Sequence, residues 1–105
     1  MAKELDKILK IRNDLINYLK IGNPLISELK KIPLNKSLLE LGYVDSFGVV
    51  EIVIYLEKKY KVKIKNEELT KSKFGSLNKM SKLVFDKLKK NYKSFVSILG
   101  SSSKL

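Results

Sequence analysis

The stretch Leu41-Gly42-Tyr43-Val44-Asp45-Ser46-Phe47-Gly48 holds the residues of this chain best placed to do chemistry. It closes a turn-rich segment and opens a run, residues 49–60, in which Val49, Ile52, Val53, Leu56 and Tyr60 recur at helical spacing. Ser46 therefore projects from the first turn of a helix predicted over about 46–60, and Asp45 is suited to cap it. A serine nucleophile needs a base, yet the chain contains no His, and Asp45 is an adjacent residue with a capping role. A self-sufficient serine hydrolase is thus disfavoured. With no Cys either, cysteine nucleophiles, disulfides and Cys/His zinc sites are excluded, and no catalytic residue or metal site is expected. What a helix N-terminus does offer is free N–H groups and the positive end of the helix dipole, a good seat for a phosphate. The reading that fits is a serine modified by another enzyme with a phosphate-containing group; unmodified, Ser46 would be a plain helix-start residue.

The elements that must position this serine follow from periodicity. Residues 3–20 form an amphipathic helix through Leu5, Ile8, Leu9, Arg12, Leu15, Ile16 and Leu19, which Gly22-Asn23-Pro24 breaks. Residues 25–36 read as a loop. Ser37-Leu38-Leu39-Glu40 fits a capping box for one turn that Gly42 ends. Val62 and Ile64 alternate with lysines, but a lone strand would leave its backbone unpaired, so this is a loop plugging two side chains into the core. Asn66-Glu67-Glu68-Leu69 can start a short helix, and Phe74-Gly75-Ser76 is a further break. Ser76 caps a last helix with Leu77, Met80, Leu83, Val84 and Leu88 inside; Tyr92, Phe95, Val96 and Leu99 extend it towards Gly100 as its stop and pack on the first helix. The sum is one all-α domain over residues 1–100, a small four-helix bundle with a long loop after the first helix and an extended last helix, followed by a flexible tail at 101–105.

Net charge divides along the chain. The 105 residues carry 22 Lys+Arg against 11 Asp+Glu, a formal +11. Residues 1–57 sum to zero, and residues 58–105 supply the whole excess, whereas residues 37–57 hold four acids and no base. Arg12 is the only Arg, which argues against specific nucleic-acid readout and leaves the lysine-rich half as a solvated face. A basic module for nucleic acid or anionic membranes is the competing reading of the +11. No run is long and apolar enough to span a membrane, and the mixed-charge start does not read as a secretory signal, so a cytoplasmic monomer is expected.

Leu38-Leu39-Glu40-Leu41-Gly42, Asp45-Ser46-Phe47, Val50-Glu51-Ile52-Val53, Leu56-Glu57, Tyr60, Ile64 and Glu67-Glu68, continuing through Phe74-Gly75-Ser76-Leu77 to about Leu88, resemble the acyl carrier protein family. The resemblance implies an acyl-carrier-like bundle whose Ser46 receives a 4′-phosphopantetheine arm from coenzyme A. Its thiol would hold an acyl or aminoacyl group as a thioester for partner enzymes; the carrier would not itself be an enzyme. Asp45 matches the family aspartate that helps the phosphopantetheinyl transferase and its Mg²⁺. Phe47 and Ile54 match apolar positions of fatty-acid carriers and, like Val50, fall off the buried stripe, so all three are candidate partner contacts. Glu51 and Glu57 are candidate docking acids, although Glu57 could instead pair with Lys61. Two residues, Tyr43 and Val44, separate Gly42 from Asp45-Ser46. That spacing is more similar to D-alanyl carriers and stand-alone carriers served by adenylating ligases, which implies a ligase and an acyltransferase or synthase as further partners. Family members are usually acidic, and Lys58, Lys59 and Lys61 depart from that pattern.

Overall fold

Apolar residues at three- and four-residue steps, a proline placed just inside a turn and a series of side-chain caps account for each helix of the structure. The computed structural model describes the backbone of residues 2–103 and the side chains of residues 3–91. In chain order the helices are α1 (Ala2–Gly22), α2 (Pro24–Ser27), α3 (Ser46–Tyr60), α4 (Lys71–Phe74) and α5 (Leu77–Ser103), with a 3₁₀ turn at Asn66–Glu68. The described residues contain no strand. The expected all-α bundle is realised by α1, α3 and α5 with the short α2 and α4; the short helix expected from Asn66 is the 3₁₀ turn, and α4 follows it.

Helix α1 is the spine. It packs mainly on α5, and the pairs Lys89–Glu4 (2.9 Å) and Arg12–Asn78 (2.9 Å) show that the two run antiparallel. On another side α1 meets α3, also antiparallel: the Tyr55 hydroxyl donates to the Asp14 carbonyl (3.1 Å) and the Tyr60 hydroxyl to the Asp14 carboxylate (2.8 Å). Because two helices cover α1 from different directions, its buried line is Ile11, Leu15 and Leu19 rather than the predicted stripe beginning at Leu5, which is exposed. Arg12, at the edge of that line, is held by Asn78, which in turn donates to Asn35 (2.7 Å) and ties the long loop to α5. Ile52 and Leu56 of α3, Leu77, Met80, Val84 and Phe85 of α5, Phe74, Ile26, Ile32, Leu38 and Ile64 complete the core. Each such side chain contributes about 1.5–3 kcal/mol on burial.

Several elements differ from the sequence reading, each for a local reason. The segment after α1 is not all loop: Asn23 Oδ1 accepts the Ile26 N–H (3.2 Å) and Pro24 occupies the first helical position, where its missing N–H costs nothing. Thr70 Oγ1 accepts the Lys73 N–H (3.2 Å) and starts α4, an element hidden in the sequence because it carries one apolar residue and no period. Near Asn66 the cap comes from the far side, as the Glu68 carboxylate accepts the Lys65 N–H (2.9 Å). Ser76 caps α5 as expected, its hydroxyl accepting the Lys79 N–H (3.2 Å). The backbone of α5 continues past Gly100 to Ser103; a glycine ends a helix only when the next turn adopts the left-handed geometry it permits. The expected packing of Tyr92–Leu99 lies outside the described side chains. Between α3 and the 3₁₀ turn, Val62 and Ile64 are buried and Lys61, Lys63 and Lys65 exposed, as the alternation requires.

Gly75 joins α4 to α5 so tightly that a Cβ there would overlap the Lys71 carbonyl. Gly75→Ala is expected to lower stability by about 1–3 kcal/mol, the cost of overpacking, read from the urea midpoint at unchanged slope. A wild-type midpoint in the variant would contradict the packing.

Candidate functional site

Three side chains and one glycine build the turn that delivers Ser46. Leu38 is buried, and its carbonyl accepts the Tyr43 N–H (2.9 Å) and the Val44 N–H (3.3 Å). The chain can reverse there because Gly42 has φ +82°, a conformation costly for any residue with a Cβ. Ser37 supports the same turn, its hydroxyl accepting the Glu40 N–H (3.1 Å). The Glu40 side chain does not close the predicted capping box. It reaches Lys71 instead (2.8 Å) and ties the turn to α4. From the other side Asn23 donates through Nδ2 to the Tyr43 carbonyl (2.7 Å), so one asparagine both caps α2 and clamps the approach to the site. Sequence reading took Asn23 only as a break; the Asn-Pro pair was the available sign of a cap.

Asp45 then starts α3. Its backbone is extended and its Oδ1 accepts the Gly48 N–H at 2.8 Å, while its carbonyl accepts the Val49 N–H at 3.0 Å. Gly48 allows Val44 to lie against the first helical turn, since a Cβ there would come within 3.1 Å of the Val44 Cβ. Ser46 is thereby held in the first turn of α3 with its side chain exposed. It opens on a groove of about 870 Å³ between the end of α1, α2 and the start of α3, whose walls include Tyr18, Leu25, Tyr43, Phe47 and Glu51.

The structure brings Ser46 and Asp45 together and arrays the other predicted residues along α3. Phe47 is 78% exposed, Val50 53% and Ile54 46%. Leu25 and Leu39, which line the groove, are also exposed, so Ser46 stands within an apolar rim. Glu51 is exposed on the same stretch. Glu57 is half-buried, and its Oε2 accepts the Ile64 N–H (2.9 Å); its predicted pairing with Lys61 does not form among the described residues, because Lys61 turns away in the left-handed region (φ 55°) at the end of α3. No cluster of acids able to hold a metal occurs among the described residues, and no helix there is long and apolar enough to cross a membrane.

Behind the site, a tyrosine seam fixes α3 against α1. The Tyr18 and Tyr55 rings stack with centroids 4.1 Å apart and planes 13° apart. Burial raises the Tyr60 hydroxyl well above the ordinary tyrosine range, and its bond to the Asp14 carboxylate raises it further. Burial likewise raises Tyr55, with Asp14 adding, and Tyr18, with Glu51 adding.

A family model described as a phosphopantetheine attachment site matches residues 21–84, from the end of α1 into the middle of α5. That span contains the turn and cap around Ser46 and all of the groove's lining except Tyr18 and Leu19. Neither the curated proteins nor the solved structures contain a significant match.

Two substitutions test this geometry. Asp45→Ala is expected to cost about 1 kcal/mol by loss of the cap, whereas Asp45→Asn, which keeps an accepting oxygen, stays near wild type in urea melts. At high pH the sign is set by Tyr60. Its folded-state value lies above the unfolded one, so its contribution is complete below about pH 10 and is lost as the pH rises beyond it. Stability should therefore fall above about pH 10, and Tyr60→Phe should flatten that fall while costing about 1 kcal/mol at neutral pH. Parallel pH–stability curves for the two proteins would contradict the seam.

Proposed function

The chain belongs to the phosphopantetheine attachment-site family, and on that premise we propose that Ser46 is the residue that carries the arm, for an acyl or aminoacyl cargo. The domain is a carrier domain and the site of covalent 4′-phosphopantetheine attachment. The observation that carries the assignment is the exposed Ser46 hydroxyl, in the first turn of a helix capped by Asp45 and open to the groove. These residues fit the group. The first-turn N–H groups and the helix dipole favour a phosphodiester on Ser46, and the groove leaves room for the chain beyond it. When attached, the arm supplies a thiol that holds the cargo as a thioester.

In this reading the protein's own residues present the cargo and catalyse nothing. Asp45 is the residue a phosphopantetheinyl transferase recognises. Phe47, Val50, Glu51 and Ile54 form the surface that an adenylating ligase and an acyltransferase or synthase would meet. Glu57 contributes only its outer oxygen, since Oε2 is occupied by Ile64. In this reading the protein works as a monomer in the cytoplasm, where coenzyme A supplies the arm. The competing reading, a basic module for nucleic acid or anionic membranes, has weaker support: Lys71, Lys82, Lys87 and Lys89 of the basic half are spent on acids within the fold.

Incubation with coenzyme A and a broad-specificity phosphopantetheinyl transferase is expected to add the mass of one arm to the intact protein. Ser46→Ala should abolish the addition, and Asp45→Asn should slow it without loss of stability. An unmodified wild type, or an arm that persists in Ser46→Ala, would overturn the assignment.

A further inference from the structure

The site groove does not end at Ser46. It adjoins a second depression of about 600 Å³ along the α1–α3 seam, lined by Tyr18, Glu51, Ile54, Tyr55, Lys58 and Lys59. Tyr18 and Glu51 line both, so the two adjoin across that pair. The stacked rings of Tyr18 and Tyr55 lie in this second stretch, and both hydroxyls are turned to backbone carbonyls, Tyr18 to Glu51 (3.4 Å) and Tyr55 to Asp14 (3.1 Å). What remains open is aromatic and aliphatic surface. Glu51, Ile54 and Lys58 follow one another at helical steps of three and four on the same face of α3. From Ser46 to Lys58 is twelve residues, about 18 Å along the axis.

The charges along this path are ordered. Near its middle the only acid is Glu51, which can accept from amide N–H groups and repels an anion. At its far end Lys58 and Lys59 are exposed and form no ion pair among the described residues. The nearest acid in sequence, Glu57, is turned to the Ile64 N–H and does not neutralise them. A chain that starts as a phosphodiester on Ser46, continues through amides and ends in a negative group matches that order. One ending in an ammonium does not.

We propose that the α1–α3 seam is the resting groove of the arm borne by Ser46, and that it favours a cargo whose free end is a carboxylate, received by Lys58 and Lys59. This rests on Ser46 as the attachment residue and narrows the cargo from acyl or aminoacyl to a carboxylate-ended acyl group. The Lys58–Lys59 end then accounts for part of the lysine excess next to an otherwise acidic segment.

The test loads the full-length protein with succinyl-, butyryl- or β-alanyl-coenzyme A through the same transferase, giving arms that end in a carboxylate, a methyl or an ammonium. Intact mass verifies one arm in each sample. The succinyl form is expected to shift the backbone amide resonances of Ile54, Tyr55, Lys58 and Lys59. Because a succinyl thioester can also collapse onto its own carboxylate, its lifetime in hydroxylamine is compared with that of the succinyl-loaded Lys58→Gln/Lys59→Gln variant, over which the wild type should be protected roughly threefold to fivefold, the size of an exposed ion pair. The β-alanyl form should show neither effect. Added salt and the double substitution Lys58→Gln/Lys59→Gln should abolish the protection while the remaining amide spectrum stays unchanged. Equal succinyl-thioester lifetimes in the wild type and the double variant, or shifts confined to residues 45–48, overturn the groove and leave the basic end to an acidic partner surface. Absence of added mass overturns the attachment residue and the groove with it.

Discussion

The hydrogen bond from the Gly48 N–H to the Asp45 carboxylate is the contact on which the site depends. It fixes where α3 begins, and a helix that began one residue later would leave Ser46 outside the first turn, in the capping position. The surrounding features hold Asp45 in place to make that bond. Gly42 permits the reversal, the Leu38 carbonyl collects the N–H groups of Tyr43 and Val44, and Asn23 clamps the Tyr43 carbonyl. Gly48 admits Val44 against the helix. The apolar core needs only that α3 present Ile52 and Leu56 to α1 and α5; the turn adds the register at which it does so.

Fewer acids at the site are free for a partner than a count along the chain suggests. Residues 37–57 carry four acids and no base. Glu40 is taken by Lys71, Glu57 by the Ile64 N–H and Asp45 by the Gly48 N–H, which leaves Glu51 as the acid directed to solvent without a local partner. The surface around Ser46 is consequently more apolar than acidic, with Phe47, Val50, Ile54 and Leu39 exposed on it. In our reading, partner enzymes meet this carrier chiefly through apolar contacts, with charge confined to Glu51 on one side and the lysines at the end of α3 on the other.

The stretch from Leu38 to Leu56 was readable from sequence because it combines strong local signals: a turn glycine, an acidic cap and an unbroken apolar period. The α3 boundaries and the burial of Val62 and Ile64 followed from the same kind of pattern. What escaped was set by tertiary contact. Ile11 is a core residue because α1 is covered on two sides, and Phe85 joins the same core although it lies off the stripe read along α5. Asn23 and Glu57 act on backbone groups twenty and seven residues away, and the stacking of Tyr18 on Tyr55 joins residues from different helices. Helix α4 is four residues held by one threonine cap and lies below the length at which periodicity carries information.

The most direct test of the account is the position of the arm within a peptide. Residues 37–57 contain no Lys or Arg, so trypsin releases 37–58 from the loaded protein as one peptide with two serines, Ser37 and Ser46. Fragmentation of that peptide is predicted to place the phosphopantetheine mass on Ser46 in every loaded molecule. An arm on Ser37, or on a peptide outside this segment, would contradict the claim that the Asp45-capped start of α3 is the attachment site.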